Sequence, residues 1–216
     1  MEVLFRIFLV LVAYIAGSIP SSVWVGRFFY GVDVREHGSG NAGATNTFRV
    51  LGVKAGIPVL LMDIFKGFGA VKLIYLTPYY IPSEGDFVNF QLLLGIAAVL
   101  GHIFPVFVKF KGGKGVATLL GVVLAIHPYS ALISMAIFVV SLIFTKYVSL
   151  SSMIAGFSFP ILVIIIFKTT TVSLCIFSLI IAILLLFTHQ KNIERLIKRE
   201  ENKANLFKNL KKESNR

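Results

Sequence analysis

Cysteine and charge are both scarce in this chain. Cys175 is the only cysteine among 216 residues, which excludes an intramolecular disulfide and argues against a cysteine-based metal site. Charged residues make up only 14% of the sequence, hydrophobic residues make up 56%, and the mean hydropathy is +0.86. Such a composition excludes an ordinary soluble domain. It predicts a polytopic membrane protein.

Acidic residues are the scarcer kind of charge, with 10 Asp and Glu against 21 Lys and Arg and a net charge of +11. In a soluble protein this excess would suggest nucleic acid. Here the basic residues cluster beside apolar runs, as orientation signals do, so we expect no nucleic-acid partner. The polar segments contain no evident Asp/Glu pair and no His/Cys set. We therefore expect neither glycosidase-type chemistry nor a bound metal or cofactor.

Seven apolar runs are candidates for crossing a bilayer, although two of them are short. They cover residues 3–25, 53–76, 88–108, 115–127, 130–145, 147–167 and 172–188. Lys and Arg collect in segments 27–54 and 109–114 and after residue 188, and the positive-inside rule places these three segments in the cytoplasm. An even number of crossings must join the last two segments, which requires a break where His127 precedes a proline. The sequence thus predicts an all-α protein with about seven transmembrane helices, the N-terminus outside and glycine-rich cytoplasmic loops.

One membrane domain, residues 1–188, and a cytoplasmic basic tail, residues 189–216, account for the chain. Helical spacing at the start of the tail places His189 and Asn192 on one face, with Arg195 a further turn on. These side chains are therefore candidates for contact with one ligand. Farther along the tail, Lys and Arg alternate with apolar residues, which indicates attraction to anionic lipid headgroups.

Residues 38–43 have the form GxGxxG, but a dinucleotide site needs a buried strand before the glycines, and polar residues 32–37 do not supply one. What remains is a glycine-rich loop with small hydrogen-bonding side chains, followed by an arginine that can hold a phosphate through two hydrogen bonds. The alternative is that these side chains only cap and satisfy an interfacial loop. The candidate anion ligands are Ser39, Asn41, Thr45, Asn46 and Arg49.

A second glycine-rich segment, Lys111-Gly112-Gly113-Lys114-Gly115, lies between two apolar runs. Glycines let successive amides turn toward one anion, and the two lysines add positive charge. A Walker A motif is excluded because a glycine follows the last lysine where Ser or Thr would hold Mg²⁺. The alternative is a short basic loop between two membrane helices.

His102 lies near the end of the run before this segment, where it could be a proton carrier or a hydrogen-bonded core residue. Three anion-friendly segments thus lie on one side of the membrane. They predict a negatively charged cytoplasmic substrate and transfer chemistry at a phosphate-bearing molecule.

The three segments resemble, in order, the signature motifs of the PlsY family of acyl-phosphate:glycerol-3-phosphate acyltransferases. The matching stretches are residues 38–49, 101–118 and 189–196. A further family-like segment at 147–150 contributes Ser149. The tail departs from the commonest family pattern at Arg199, where glycine is usual, while Glu201 occupies the expected acidic position.

The resemblance implies a bacterial inner-membrane enzyme with its active site at the cytoplasmic face and without a cofactor. It would transfer a fatty acyl group from acyl phosphate to the sn-1 hydroxyl of glycerol 3-phosphate, which gives lysophosphatidic acid and phosphate and is the first acylation of phospholipid synthesis. At matching positions, the catalytic residues would be His189, Asn192, Lys111, Gly112 and Gly113. The substrate-binding residues would be Ser39, Asn41, Thr45, Asn46, Arg49, His102, Lys114, Gly115, Ser149 and Arg195.

Acyl phosphate carries a good leaving group, so positioning and charge stabilisation are the main tasks, with glycine amides as candidate oxyanion donors. The base is open between His189, His102 and the departing phosphate. The lack of an evident acidic partner for either histidine favours the phosphate.

A transporter for an organic phosphate is the main alternative. The one-sided polar segments and the lack of a visible repeat argue against it. A lipid-binding scaffold without chemistry would explain only the tail.

Overall fold

The computed structural model describes residues 1–77 and 83–204, and every regular element within those ranges is helical. The all-α prediction is therefore confirmed for the described residues. The α-helices are α1 (Glu2–Gly17), α2 (Ser21–Tyr30), α3 (Ala44–Leu51), α4 (Val53–Lys72), α5 (Glu84–Ile103), α6 (Val116–Ile126), α7 (Pro128–Thr145), α8 (Val148–Ile161), α9 (Val172–Thr188) and α10 (Gln190–Ile197). Short 3-10 helices lie at Val34–Glu36, Leu73–Leu76 and Val106–Val108, and a π-helical turn, Leu162–Ile166, continues α8.

Three described segments, Glu84–Val108, Pro128–Thr145 and Val148–Ile166, are long and apolar enough to cross a membrane singly. The α1–α2 pair, bent by 44°, and the α9–α10 pair, bent by 61°, could each form one broken span, which gives up to five. The predicted spans at 53–76 and 115–127 are not among them. Helix α4 carries charged side chains in its middle, and α6 has only 11 residues. The count of seven and the outside N-terminus stay predictions.

The predicted break before residue 128 is confirmed. Helix α6 ends at Ile126 and α7 begins at Pro128, while His127 Nδ1 accepts a hydrogen bond from the Ser130 amide at 3.4 Å. The imidazole also meets the Phe167 ring edge-on, with 5.2 Å between the ring centroids. These contacts give His127 a structural role in the turn between the two helices.

Small residues let several of the helices cross at close range. A Cβ added to Gly67 of α4 would overlap the backbone of Thr118 in α6, and one added to Gly121 of α6 would overlap Ile64 of α4. Helices α1 and α5 meet in the same way at Gly17. Such contacts are typical of helix association in membranes. They bring the start of α6 against the middle of α4.

An aspartate connects the two glycine-rich loops. Asp33 accepts hydrogen bonds from Arg27 and Arg35, each at 2.8 Å, and Arg35 Nη1 also donates to the carbonyl of Val108 at 3.3 Å. The hydrogen bonds from Arg35 above all hold the pKa of Asp33 well below its usual value. Loop 31–43 is therefore fixed to the segment that precedes the second glycine-rich loop.

Candidate active site

A cavity of about 770 Å³ lies where the three predicted segments meet. Of the fifteen predicted site residues, thirteen line it: Ser39, Asn41, Thr45, Asn46, Arg49, His102, Gly113, Lys114, Gly115, Ser149, His189, Asn192 and Arg195. Residues 100 or more positions apart in the sequence are thus brought to one polar end of the same cavity.

Lys111 and Gly112 are not among the lining residues. Lys111 is exposed, and the Gly112 amide donates to the carbonyl of Ile103 at 3.2 Å. The Gly113 amide likewise donates to the carbonyl of His102 at 3.1 Å. Because both amides are paired with the end of α5, they are not available as oxyanion donors in this structure, contrary to the role expected from the sequence.

Two helices begin at the polar end of the cavity and supply other amide donors. Helices α3 and α6 follow the capping residues Gly43 and Gly115, both of which line the cavity. Helix α10 continues α9 across a bend, and the backbone amides at that junction are paired with carbonyls of α9. The first amides of a helix have no partner within it and carry partial positive charge, so they favour anions. Gly115 has a φ of +80°, which favours glycine at this turn.

The first loop is organised by a buried amide. Asn46 Oδ1 accepts from the backbone amide of Ser39 at 2.8 Å, while its Nδ2 donates to the carbonyls of Val34 and His37 at 2.7 and 3.0 Å. Asn46 therefore shapes the loop and has little capacity left for a substrate. Arg49 is exposed, and no hydrogen-bond or ion-pair partner is found for its side chain within residues 1–77 and 83–204. Its guanidinium is available to a ligand.

Glu201, which the sequence reasoning left out of the site, joins three of the predicted residues. Its carboxylate accepts hydrogen bonds from Ser149 Oγ at 2.8 Å, Asn192 Nδ2 at 2.7 Å and Arg195 Nε at 2.7 Å. Burial raises the pKa of Glu201, but these hydrogen bonds, the one from Arg195 first, outweigh burial and lower it below the ordinary value. Glu201 thus orients side chains contributed by two separate segments.

The end of α10 explains how Glu201 reaches this place. The amides of Arg199 and Glu200 donate to the carbonyls of Leu196 and Arg195 at 3.1 and 2.7 Å, which is the Schellman pattern of helix termination. Arg199 occupies its left-handed position with a φ of +59°. This is the position where the family pattern has glycine.

Lys114 is a partly buried cation at the polar end of the cavity. Its Nζ donates to Oδ1 of Asn192. Burial lowers the pKa of Lys114 to about 8; Glu201 opposes this shift, while Arg195 and Arg49 add to it. A bound dianion would stabilise the charged form, because opposite charges at short range favour ionisation.

His189 is buried at the junction of α9 and α10. Its Nδ1 lies 2.9 Å from the carbonyl oxygen of Leu185, which can only accept, so Nδ1 carries a proton. Within residues 1–77 and 83–204 no hydrogen-bond partner is found for the other ring nitrogen, Nε2, which is therefore open to a ligand.

The structure gives His102 an acidic neighbour that the sequence reasoning missed. Nδ1 of His102 lies 3.6 Å from Oδ1 of Asp63, and Asp63 also forms a 2.8 Å ion pair with Lys66. The expectation that neither histidine has an acidic partner is wrong for His102. The signal was available, since Asp63 and Lys66 stand inside an apolar run, where ionisable residues usually have a function.

The rest of the cavity wall is mostly apolar and comes from α4, α6, α7, α8 and α9. Its lining includes Leu60, Ile64, Leu119, Leu120, Val123, Met135, Phe138, Val139, Phe159, Ile181 and Leu185. An anion-binding end therefore continues into space suited to an alkyl chain. Within the described ranges, no group of three or more His, Cys, Asp or Glu side chains could hold a metal ion.

Fold and site together define a membrane protein with a cavity for an amphiphilic anion. The family model described as glycerol-3-phosphate acyltransferase matches residues 7–199, so the chain belongs to that family.

Relatives and solved structures agree with this assignment. The chain is 48% identical to a glycerol-3-phosphate acyltransferase from Fusobacterium nucleatum over 195 residues, which are 90% of this chain and 95% of that protein. A second relative, from Staphylococcus carnosus, is 48% identical over 91% of this chain and 96% of its own length. The fold is similar to the crystal structure of PlsY (YgiH), an integral membrane glycerol 3-phosphate acyltransferase, in its glycerol 3-phosphate form. That match has a TM-score of 0.82 and 36% identity, covering 95% of this chain and 98% of that one.

Proposed function

We propose that this acyltransferase moves a fatty acyl group from acyl phosphate to the sn-1 hydroxyl of glycerol 3-phosphate. The products are lysophosphatidic acid and inorganic phosphate, and the reaction is the first acylation of phospholipid synthesis. The observation that carries the proposal is one continuous cavity, whose cationic end extends into an apolar groove. Crystal structures of a relative are described as its glycerol 3-phosphate and lysophosphatidic acid forms, which supports the same acceptor and product.

The polar end of the cavity accommodates the phosphate groups. Arg49 supplies a guanidinium without a described partner, and Lys114 adds a second, partly buried cation. Amides at the starts of α3 and α6 stabilise negative charge that develops during the reaction. Ser39, Asn41 and Thr45 line the same end and can hydrogen-bond the glycerol portion.

Residues from the tail complete the site. Asn192 connects Lys114 to Glu201, and His189 presents Nε2 beside it. Lys111, exposed outside the cavity, attracts anions toward its entrance. The acyl chain lies between the apolar walls, where each buried methylene contributes roughly 0.8 kcal/mol.

The chemistry is a direct acyl transfer. The glycerol oxygen attacks the acyl carbon, the bond from that carbon to the phosphate oxygen breaks, and phosphate leaves with the electron pair and takes up the hydroxyl proton. Because the leaving group is good, the site contributes mainly orientation and charge stabilisation.

We place the enzyme in the bacterial inner membrane, with seven spans, the N-terminus outside and the active site at the cytoplasmic face. Residues 1–188 form the membrane domain, and residues 189–216 form the basic tail, which associates with anionic lipids. The segment 205–216, which contains several of the lysines behind that assignment, lies outside the described residues. The basic clusters on one side of the sequence-derived topology support this orientation.

Purified protein in lipid or detergent tests the donor and acceptor. We expect turnover with glycerol 3-phosphate and acyl phosphate, and none when acyl-CoA replaces acyl phosphate. Turnover with acyl-CoA alone would refute the donor assignment.

A matched pair of charge variants tests the site. Arg49→Gln should raise the KM for glycerol 3-phosphate about tenfold or more, because a charge-assisted hydrogen bond contributes roughly 1.5–3 kcal/mol. Lys198→Gln is the control, since Lys198 forms an exposed pair with Glu194 and does not line the cavity. Equal effects of the two variants would show that only overall charge matters.

A further inference from the structure

A buried charged cluster lies beside the polar end of the cavity and is not explained by phosphate binding. The side chains of Asp63, Lys66 and His102 are 2%, 7% and 5% exposed. They come from the middle of α4 and the end of α5, and Ser21 of α2 joins them. Both Asp63 and His102 also line the cavity. The cluster therefore connects the protein interior directly to the place of reaction.

Asp63 is held as a carboxylate by two donors. Ser21 Oγ donates to its Oδ1 at 2.9 Å, and Lys66 Nζ lies 2.8 Å from the same oxygen. Lys66 also donates to the carbonyl of Ile19 at 2.9 Å, so its ammonium group is fixed from both sides. A buried carboxylate with such partners remains ionised and can only accept hydrogen bonds.

The carboxylate determines where His102 carries its proton. Nδ1 of His102 lies 3.6 Å from Oδ1 of Asp63 and 3.1 Å from Oγ1 of Thr118. The negative charge favours a proton on Nδ1, which Thr118 Oγ1 accepts. The other nitrogen, Nε2, then bears a lone pair. It lies on the side of Gly113, and no hydrogen-bond partner for it is found within residues 1–77 and 83–204.

The backbone of the same histidine also holds the second loop, because the Gly113 amide donates to its carbonyl at 3.1 Å. Gly113 leaves room for the imidazole, since a Cβ there would overlap Nε2. The ring is therefore confined between α4, α6 and the loop, with one nitrogen toward Asp63 and the other toward the cavity.

We propose that Asp63 is a positioning residue, which fixes His102 in the tautomer with the proton on Nδ1 so that Nε2 accepts a hydrogen bond from the glycerol hydroxyl. The inference rests on the proposed function, because the hydroxyl belongs to the acceptor substrate. The bond orients the oxygen toward the acyl carbon; as the oxygen attacks, Nε2 takes the hydroxyl proton and passes it to the phosphate, which leaves with the electron pair of the broken bond. A role of this kind resembles that of the aspartate in a catalytic triad, which orients an imidazole.

The tautomer is measured first, without substrate, by ¹⁵N NMR of the full-length protein labelled at histidine. The His102 signals are assigned from their loss in His102→Gln. In the wild type they should show a protonated Nδ1 and an unprotonated Nε2. Asp63→Asn should convert them to a mixture or to the other tautomer, while Ser21→Ala, which removes a donor but leaves the charge, should not. The same His102 signals in wild type and Asp63→Asn would overturn the proposal.

Kinetics separate positioning from a merely structural role. Asp63→Asn should lower kcat at least about tenfold and change the KM for glycerol 3-phosphate less than threefold, because orientation is lost while phosphate binding remains. Ser21→Ala removes one donor to the same carboxylate but leaves its negative charge, so it should lower kcat much less than Asp63→Asn does. An equal loss in both variants, or a loss confined to KM, would contradict the role assigned to Asp63.

Asp63→Asn leaves Lys66 buried without its counterion and could prevent folding. The double variant Asp63→Asn with Lys66→Met removes that charge and keeps the test available. It should show the same change of tautomer and the same loss of kcat. A wild type that binds glycerol 3-phosphate with the expected tautomer but turns over no donor would instead refute the proposed function.

Discussion

The most specific prediction concerns the pH at which glycerol 3-phosphate stops binding. Burial lowers the pKa of Lys114 to about 8 in the free protein. Its ammonium group is therefore about nine-tenths charged at pH 7 and about one-tenth charged at pH 9. If the charged form binds the phosphate, kcat/KM for glycerol 3-phosphate should fall roughly tenfold between these pH values. The phosphate itself is already a dianion over most of this range.

The site determines both the direction of this pH effect and the kinetic parameter in which it is observed. The decline of kcat/KM with pH reports the pKa of the group in the free enzyme, whereas a decline of kcat reports its pKa in the enzyme–substrate complex. Bound phosphate stabilises the charged lysine, so the decline of kcat should occur at higher pH or be absent. Binding should also take up a proton above pH 8. Calorimetry in buffers of different ionisation enthalpy measures that uptake directly.

Two variants identify the group. Lys114→Arg keeps its charge to much higher pH, so the decline between pH 7 and 9 should disappear. Glu201→Gln removes a neighbouring negative charge and should move the decline to lower pH, because Glu201 favours the charged lysine. A decline that persists unchanged in Lys114→Arg would refute the reasoning.

Three further predictions concern conformation and space. Arg199→Gly should increase the free energy of unfolding by up to about 1 kcal/mol and raise the thermal midpoint, because glycine adopts positive φ without steric cost. If Arg199→Gly is no more stable than Arg199→Ala, this explanation is wrong. Gly113→Ala should lower the free energy of unfolding by about 1–3 kcal/mol and reduce turnover, since the added Cβ would lie 2.7 Å from a backbone oxygen. Gly69→Ala is the control, because its Cβ would meet nothing within 4 Å and should not reduce stability or turnover. Ser134→Leu should shift donor preference toward shorter acyl phosphates because Ser134 lines the groove, and Val140→Leu, on the exposed side of the same helix, should not. If Ser134→Leu and Val140→Leu show the same preference for acyl-chain length, Ser134 does not limit the length of chain that the groove accepts.

The sequence was sufficient to predict the helical class and the break before Pro128. Hydrophobic runs, proline and clustered Lys and Arg are local signals, and local signals determine these features. The family resemblance then grouped residues from four separate segments, and the structure brings thirteen of them to one cavity.

The roles of individual side chains were harder to predict, because they depend on partners far away in the sequence. The sequence predicts Asn46 as a ligand of the substrate, but its side chain forms its hydrogen bonds with the loop. The sequence predicts the Gly112 amide as an oxyanion donor, but this amide donates to a carbonyl at the end of α5. Asp63 stands 39 positions before His102, so their contact follows only from the crossing of the helices. Glu201 reaches Ser149 only because the chain reverses after α10.

The central claim is that one cavity joins glycerol 3-phosphate to an acyl chain taken from acyl phosphate. The most direct measurement follows labelled glycerol 3-phosphate and phosphate together, after acyl phosphate is added to purified protein in sealed lipid vesicles. We predict that lysophosphatidic acid and inorganic phosphate appear in equal amounts. Accumulation of unmodified glycerol 3-phosphate inside the vesicles, with neither product formed, would contradict the account and indicate a transporter.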